Sequence, residues 1–281
     1  MSLTSFLKND ADLRILIDQT FEKPEMRGDF ERRAEPQTSN YALIGTAFDY
    51  VLRFKLERDY ESVDSRPWVA QQGVTFGELG HDEEEIGTDR PLQDILIDAQ
   101  ELHQEYLESG VMTDDLLAAT LDLARLDWIY RSGRISDEFG QASEGDIRDL
   151  RQLYEIIPKS EFTGADTVLL NPTFGSASSL VGGADADLVL DDTLIDIKTV
   201  KDGTLKIGYW RQLVGYALLA DIASEELEHM PEFSEVGIYF SRHGQLWETS
   251  TERIYEHEKY EQFKSWFQEE AEEHFSTPVA E

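Results

Sequence analysis

The sequence predicts an α/β chain of the α+β kind: a helical N-terminal half leading into a central mixed β-sheet with flanking helices. Three observations predict it. Apolar residues recur at helical spacing in four segments before residue 165. Short β-rich runs separated by turn residues begin after Ser179. One apolar helical pattern, residues 206–223, separates two hairpin patterns, as a crossover in a mixed sheet requires.

Residues 1–281 read as a single domain, taken here in chain order. Residues 22–40 are polar and carry two prolines, so 1–40 reads as a mobile N-terminal arm. The part from 41 to 165 is mostly helical. A helix follows Asn40, with Tyr41, Ile44, Phe48, Val51, Leu52 and Leu56 near helical spacing. Residues 59–90 mix Pro, Gly and acids and read as a connection with short structure. Helices follow over Pro91–Glu108, Thr113–Tyr130 and Gly145–Ile156. Pro91 stands in the first turn of one, and Thr113 caps the next. The core, 166–250, starts with a short strand over Thr167–Leu170. Strands over Val181–Leu190 and Thr193–Val200 follow, then the helix Lys206–Ala223. A second hairpin, Glu235–Phe240 with Gln245–Thr249, turns at Arg242-His243-Gly244. Residues 251–275 form one C-terminal helix.

The first hairpin concentrates charge. With Asp191-Asp192 as a two-residue turn, Leu190 faces Thr193 and Leu188 faces Ile195. Continued, the register sets Asp187 opposite Asp196 and Asp185 opposite Lys198, and alternation puts all four charged side chains on one face. Opposed carboxylates repel and cost stability. A hard divalent cation resolves the conflict, because Mg²⁺ or Mn²⁺ takes a few carboxylate oxygens plus water. The Ile197 carbonyl could add a ligand. Lys198, at the edge, could orient an attacking water and balance charge on a phosphate while the metal activates that water. The same repulsion predicts that Asp196→Asn raises metal-free stability.

Asp187 followed by Asp196-Ile197-Lys198 resembles the PD-(D/E)XK phosphodiesterase signature, with Ala186 in place of the motif's proline. Gln212 and Tyr216, four apart on one helix face, resemble the additional Gln-x-x-x-Tyr motif of RecB-like and lambda-exonuclease-like members. The resemblance covers roughly residues 166–250 and implies a sheet of the restriction-endonuclease-like type. It implies Asp187 and Asp196 as metal ligands, Lys198 as the catalytic lysine and Gln212 as an accessory residue beside substrate, with Tyr216. Gly182 to Asp185 also fits the RecB-like Gly-x-hydrophobic-Asp lead-in, so Asp185 stays an alternative first ligand. Gly45-Thr46-Ala47-Phe48-Asp49 resembles the helix start that often brings a further metal-proximal residue. By itself Asp49 reads rather as a surface acid.

The implied activity is cleavage of DNA in repair, recombination or defence, with Mg²⁺ or Mn²⁺ as cofactor and DNA as partner. The alternatives are a non-catalytic nucleic-acid-binding or assembly module on the same fold, and an acidic metal-binding scaffold. Nothing in the sequence indicates a protein partner. The six histidines show no metal-ligand spacing and read as surface or capping residues.

Composition bounds these readings. Asp and Glu number 58 against 25 Lys and Arg, for a formal net charge of −33 spread along the chain. Low lysine with dispersed carboxylate fits a halophilic protein, hydrated where salt screens its self-repulsion. Such a chain can approach DNA only if its groove carries the few cations it has. Absence of cysteine excludes disulfides and Cys-built zinc sites. No apolar run approaches the roughly eighteen residues of a membrane span. The N-terminus resembles neither signal peptide nor anchor, so a cytoplasmic protein without a membrane partner is expected.

Overall fold

A computed structural model of the chain describes residues 2–26, 29–80, 90–134, 136, 138–224, 226 and 230–276. Part of the predicted connection 59–90, together with His81 and His229, lies outside the described residues. Among the described residues no helix is long and apolar enough to cross a membrane.

The fold is mixed α/β, built on one six-stranded mixed sheet. The strands are β1 (Asp64–Ser65), β2 (Val168–Leu170), β3 (Leu188–Leu190), β4 (Thr193–Lys198), β5 (Glu235–Phe240) and β6 (Gln245–Ser250), adjacent in sequence order. β1–β2 and β4–β5 are parallel, and the other neighbours are antiparallel. The parallel β4–β5 pair needs a crossover, supplied by the helix α9 (Ile207–Ile222).

Alternation along the strands splits the core into two layers. Leu170, Leu188, Leu190, Ile195 and Tyr239 face helices α3 (Tyr41–Asp59), α4 (Val69–Gly80), α5 (Leu92–Ser109), α6 (Asp114–Ser132) and α7 (Glu144–Glu155). Leu169, Val189, Leu194, Ile238 and Phe240 face the opposite way. There they meet α9, the N-terminal helices α1 (Leu3–Asn9) and α2 (Ala11–Thr20), α8 (Gly175–Leu180) and α11 (Tyr260–Ser276).

The N-terminal helices correct the expectation of a mobile arm over 1–40. Leu3, Phe6, Leu13, Ile17 and Phe21 are buried, and Trp210 of α9 donates its indole N–H to the Phe21 carbonyl at 2.9 Å. Among the described residues of 22–40 there is no helix or strand, yet Arg33 and Ala34 donate backbone N–H groups to the Arg242 carbonyl. α4 falls in the predicted connection. Its Gly73 and Gly77 argue against a helix locally. Packing explains them, because a Cβ on Gly73 would lie 2.0 Å from the Leu126 carbonyl oxygen of α6.

Two more expectations change. The predicted C-terminal helix is broken into α10 (Glu252–Tyr255) and α11. Pro91 is the N-cap of α5 rather than a first-turn residue. Thr113 caps α6 as expected, accepting from the Leu116 N–H at 3.1 Å.

Candidate active site

The turn and register of the β3–β4 hairpin are those the sequence predicts. Asp191 adopts a left-handed φ of 51°, and Leu190 pairs with Thr193, Val189 with Leu194 and Leu188 with Ile195. The pairing then stops, which corrects the continued register. Asp187 and Asp185 are not cross-strand partners of Asp196 and Lys198. The chain before β3 instead leans toward the segment after β2. Asn171 donates its N–H to the Asp187 carbonyl at 3.0 Å, Ala186 donates to the Pro172 carbonyl, and Asp185 bridges Thr173.

That divergence opens the site. In β4 the N–H and C=O of Ile197 point toward β3, because the Lys198 carbonyl points to β5 and accepts from Ser241. With β3 gone at this level, the Asp187 carboxylate accepts from the Ile197 N–H at 2.6 Å. The Ile197 carbonyl is left on the same side, toward the cavity that Ile197 helps to line. Asp196 and Lys198, two apart, share the face toward α9, with Lys198 Nζ 2.5 Å from Asp196 Oδ2. The same ammonium donates to Gln212 Oε1 at 3.1 Å, and Gln212 Nε2 donates to the Tyr216 hydroxyl at 2.8 Å. Tyr216 is buried and stacks on Phe174.

These residues surround a cavity of about 340 Å³, lined by Asp49, Asp127, Arg131, Asn171, Asp185, Asp187, Asp196, Ile197, Lys198, Gln212 and Tyr216 among others. Asp49 is therefore not a surface acid. Its Oδ1 is enclosed and meets no donor, as Asp196 Oδ2 meets no well-directed one besides the nearby ammonium. Asp185 is held at the rim by Arg131, at 3.4 Å, which separates its position from that of Asp187. Sequence reasoning missed three members. Arg131 and Asp127 come from the last turns of α6, where nothing local distinguishes them from surface charges. Asn171 carried a signal in Asn171-Pro172 after a strand, and it takes a left-handed φ of 55°.

The electrostatics follow from burying three carboxyls together. Burial raises the pKa of Asp187 well above the ordinary value, and Asp196 and Asp49 push it further. Burial raises Asp196 against the opposing pull of Lys198. Burial also raises Asp49, aided by Asp196 and opposed by Arg53 and Arg131. Burial lifts Asp127, hydrogen-bonded to Tyr50 at 2.6 Å, to about 6. For Lys198 burial works the other way, but Asp196 and Asp187 outweigh it and raise its pKa.

Carboxyls with raised pKa bind protons more tightly folded than unfolded. Their contribution favours the fold at low pH and is lost as pH rises above the ordinary value of 3.8. The Lys198 ion pair moves the stabilising substitution from Asp196 to Asp187. Asp187→Asn keeps an acceptor for the Ile197 N–H and removes the repelled charge. In chelator at pH 7.5 it should melt several degrees above wild type, at about 2–4 °C per kcal/mol for a chain of this size. The gap should close near pH 4, where the wild-type carboxyl is neutral. A lower melting point at pH 7.5 in differential scanning calorimetry would show that the repulsion is absent.

A divalent cation fits this donor set only in a small-ligand form. Among the described residues no three His, Cys, Asp or Glu side chains converge to hold an ion. Asp187, Asp196 and the Ile197 carbonyl could hold one with water completing the shell, as Mg²⁺ allows. The raised carboxyl pKa values of Asp187 and Asp196 are what such an ion would relieve. The chain matches no protein-family model, no curated protein and no solved structure.

Proposed function

We propose that the chain is a metal-dependent DNA nuclease of the PD-(D/E)XK type, in its RecB-like branch, on a restriction-endonuclease-like sheet, working in a high-salt cytoplasm. One observation carries the reading: Asp187, Asp196, Lys198 and Gln212, from a pre-strand segment, a strand and a helix, meet at one open cavity. Chance placement of acids in an acidic chain would not bring the motif lysine against the motif aspartate and the accessory glutamine together.

Asp187, Asp196 and the Ile197 carbonyl would hold Mg²⁺ or Mn²⁺. Bound there, the ion would acidify an attacking water and offset charge on the phosphate. Lys198 would hold that water or a phosphate oxygen by its ammonium. Gln212 fixes the direction of the amine, and the Tyr216 hydroxyl fixes the Gln212 amide. In this reading water would attack phosphorus in line, one P–O bond forming as the opposite one breaks. The attacking water's proton would pass to solvent, and the leaving oxygen would take a proton from solvent.

The closed Asp196–Lys198 ion pair favours a second reading, a non-catalytic nucleic-acid-binding module, because the ammonium already neutralises the carboxylate. Cleavage of single- and double-stranded DNA with Mg²⁺ or Mn²⁺ in molar KCl separates the two. Wild type should cut and Lys198→Ala should not. Equal inertness of both across substrates would remove the nuclease reading.

A further inference from the structure

The chain holds nine lysines, and three of them, Lys198, Lys201 and Lys206, fall within nine consecutive residues between β4 and α9. Two tyrosines stand among them. Lys201 Nζ lies 4.3 Å from the Tyr41 ring centre and 2.9 Å from its hydroxyl. Lys198 and Lys206 approach the Tyr209 ring at 5.4 and 5.8 Å. Lys201 and Lys206 are exposed, and Tyr41 is 44% exposed. A path of cations and rings thus runs from open surface to the lysine of the cavity. Lys206 has the exposed Asp202 at 3.8 Å, and at the inner end of the path Lys198 is paired with Asp196 at 2.5 Å.

The helices set the direction of this path. Tyr41, Gly45 and Asp49 are spaced four apart on α3, so they lie on one face. Gly45 and Asp49 line the cavity, which puts Tyr41 about 12 Å up the helix axis from Asp49. Tyr209 and Gln212 are similarly placed on α9. Both helices begin here without a side-chain cap, so the positive ends of their dipoles are not offset by a capping oxygen.

Unpaired bases present ring faces that a duplex keeps stacked inside. An exposed tyrosine flanked by lysines suits the former: the ring takes a base, and the amines take phosphates. Salt strengthens the distinction. At about 1 M salt the Debye length is roughly 3 Å, so phosphate contacts weaken while stacking persists. For a chain of net charge −33, stacking is the interaction that survives both its own charge and a saline medium.

The geometry points to Tyr41, Lys201, Lys206 and Tyr209 as a binding surface for single-stranded DNA, with Tyr41 as the base platform. That this strand then reaches scissile chemistry rests on the nuclease reading above. The binding itself does not.

Fluorescence anisotropy in EDTA, where a metal-dependent nuclease cannot cut, tests the surface with labelled oligo(dT) of about 20 nucleotides and a duplex of equal length. Wild type should bind the single strand about tenfold more tightly than the duplex. Tyr41→Ala should lose about tenfold, and Tyr41→Phe, which keeps the ring, should bind as wild type. Lys201→Gln with Lys206→Gln should lower the log–log salt slope by about 1.4, for two phosphate contacts. Equal affinity for strand and duplex overturns the proposal, as does wild-type binding by Tyr41→Ala and the lysine pair variant. If the variants lose binding as expected while wild type never cleaves with Mg²⁺, the surface stands and the nuclease reading falls. If wild type cleaves but the variants bind normally, the surface falls alone.

Discussion

On the nuclease reading proposed above, Lys198→Ala should lower phosphodiester cleavage by about a thousandfold, roughly 4 kcal/mol of transition-state stabilisation. The ammonium touches both Asp196 and Gln212. Its loss removes the group placed to orient water or carry phosphate charge, and it takes from Gln212 Oε1 the donor it accepts from, while the Gln212 amide still donates to Tyr216. The substitution also strands the Asp196 carboxylate beside Asp187, raising both pKa values further. The metal-free variant should therefore melt below wild type, and Mg²⁺ should restore more stability to the variant than to wild type. That second readout matters because simple unfolding would abolish cleavage too. A variant that melts normally with Mg²⁺ yet cleaves like wild type would remove Lys198 from the chemistry.

Arg242→Ala should cost about 3–5 kcal/mol of stability without touching the cavity. Arg242 and Asp149 are both fully buried, and the guanidinium meets the carboxylate at 2.6 and 3.1 Å. The pair ties the β5–β6 turn to α7. Asp149 also accepts from the Gln37 N–H at 3.2 Å, and the Arg242 carbonyl accepts from Arg33 and Ala34. Removing the guanidinium leaves a dry, unpaired carboxylate, which costs more than the pair contributes. An Arg242→Met, Asp149→Leu double variant should recover most of the loss. Denaturant unfolding of wild type, Arg242→Met, Asp149→Leu and the double variant gives the coupling directly. An Arg242→Ala loss under about 1 kcal/mol would mean that water reaches the pair.

The same turn shows where residue-by-residue reading fails. His243 stands beside Arg242 in a polar Arg-His-Gly turn and reads as a surface residue, yet it is buried, and burial lowers its pKa. A Cβ on Gly203 would lie 2.8 Å from its ring. His103 likewise stacks on Phe54 and contacts Glu57 at 2.8 Å rather than facing solvent.

Sequence alone determined what depends on neighbours a few residues away. Helical spacing gave α3, α5, α6, α7 and α9 to within a few residues. Asp191-Asp192 fixed the hairpin turn and its first three pairs, because a two-residue turn and a period of two leave one register. The four-residue spacing of Gln212 and Tyr216 put Gln212 against Lys198 and Tyr216 against Gln212 once α9 was in place.

Tertiary structure decided the rest. α1 and α2 have seven and ten residues interrupted by Lys8 and Asp12, too little local signal for a helix without the apolar layer that buries Leu3, Phe6 and Ile17. α4 needs glycines that disfavour helix because α6 lies against Gly73 and Leu92 of α5 against Gly77. The opening hairpin shows the limit most directly. Its register held to Leu188 and failed at Asp187, where hydrogen bonds to Asn171 and Pro172 outcompeted the partner strand. That non-local competition turned a row of opposed charges into a cavity. It sent Asp187 to the Ile197 N–H across the hairpin, Asp185 to Arg131 of a distant helix, and left Asp49 facing inward.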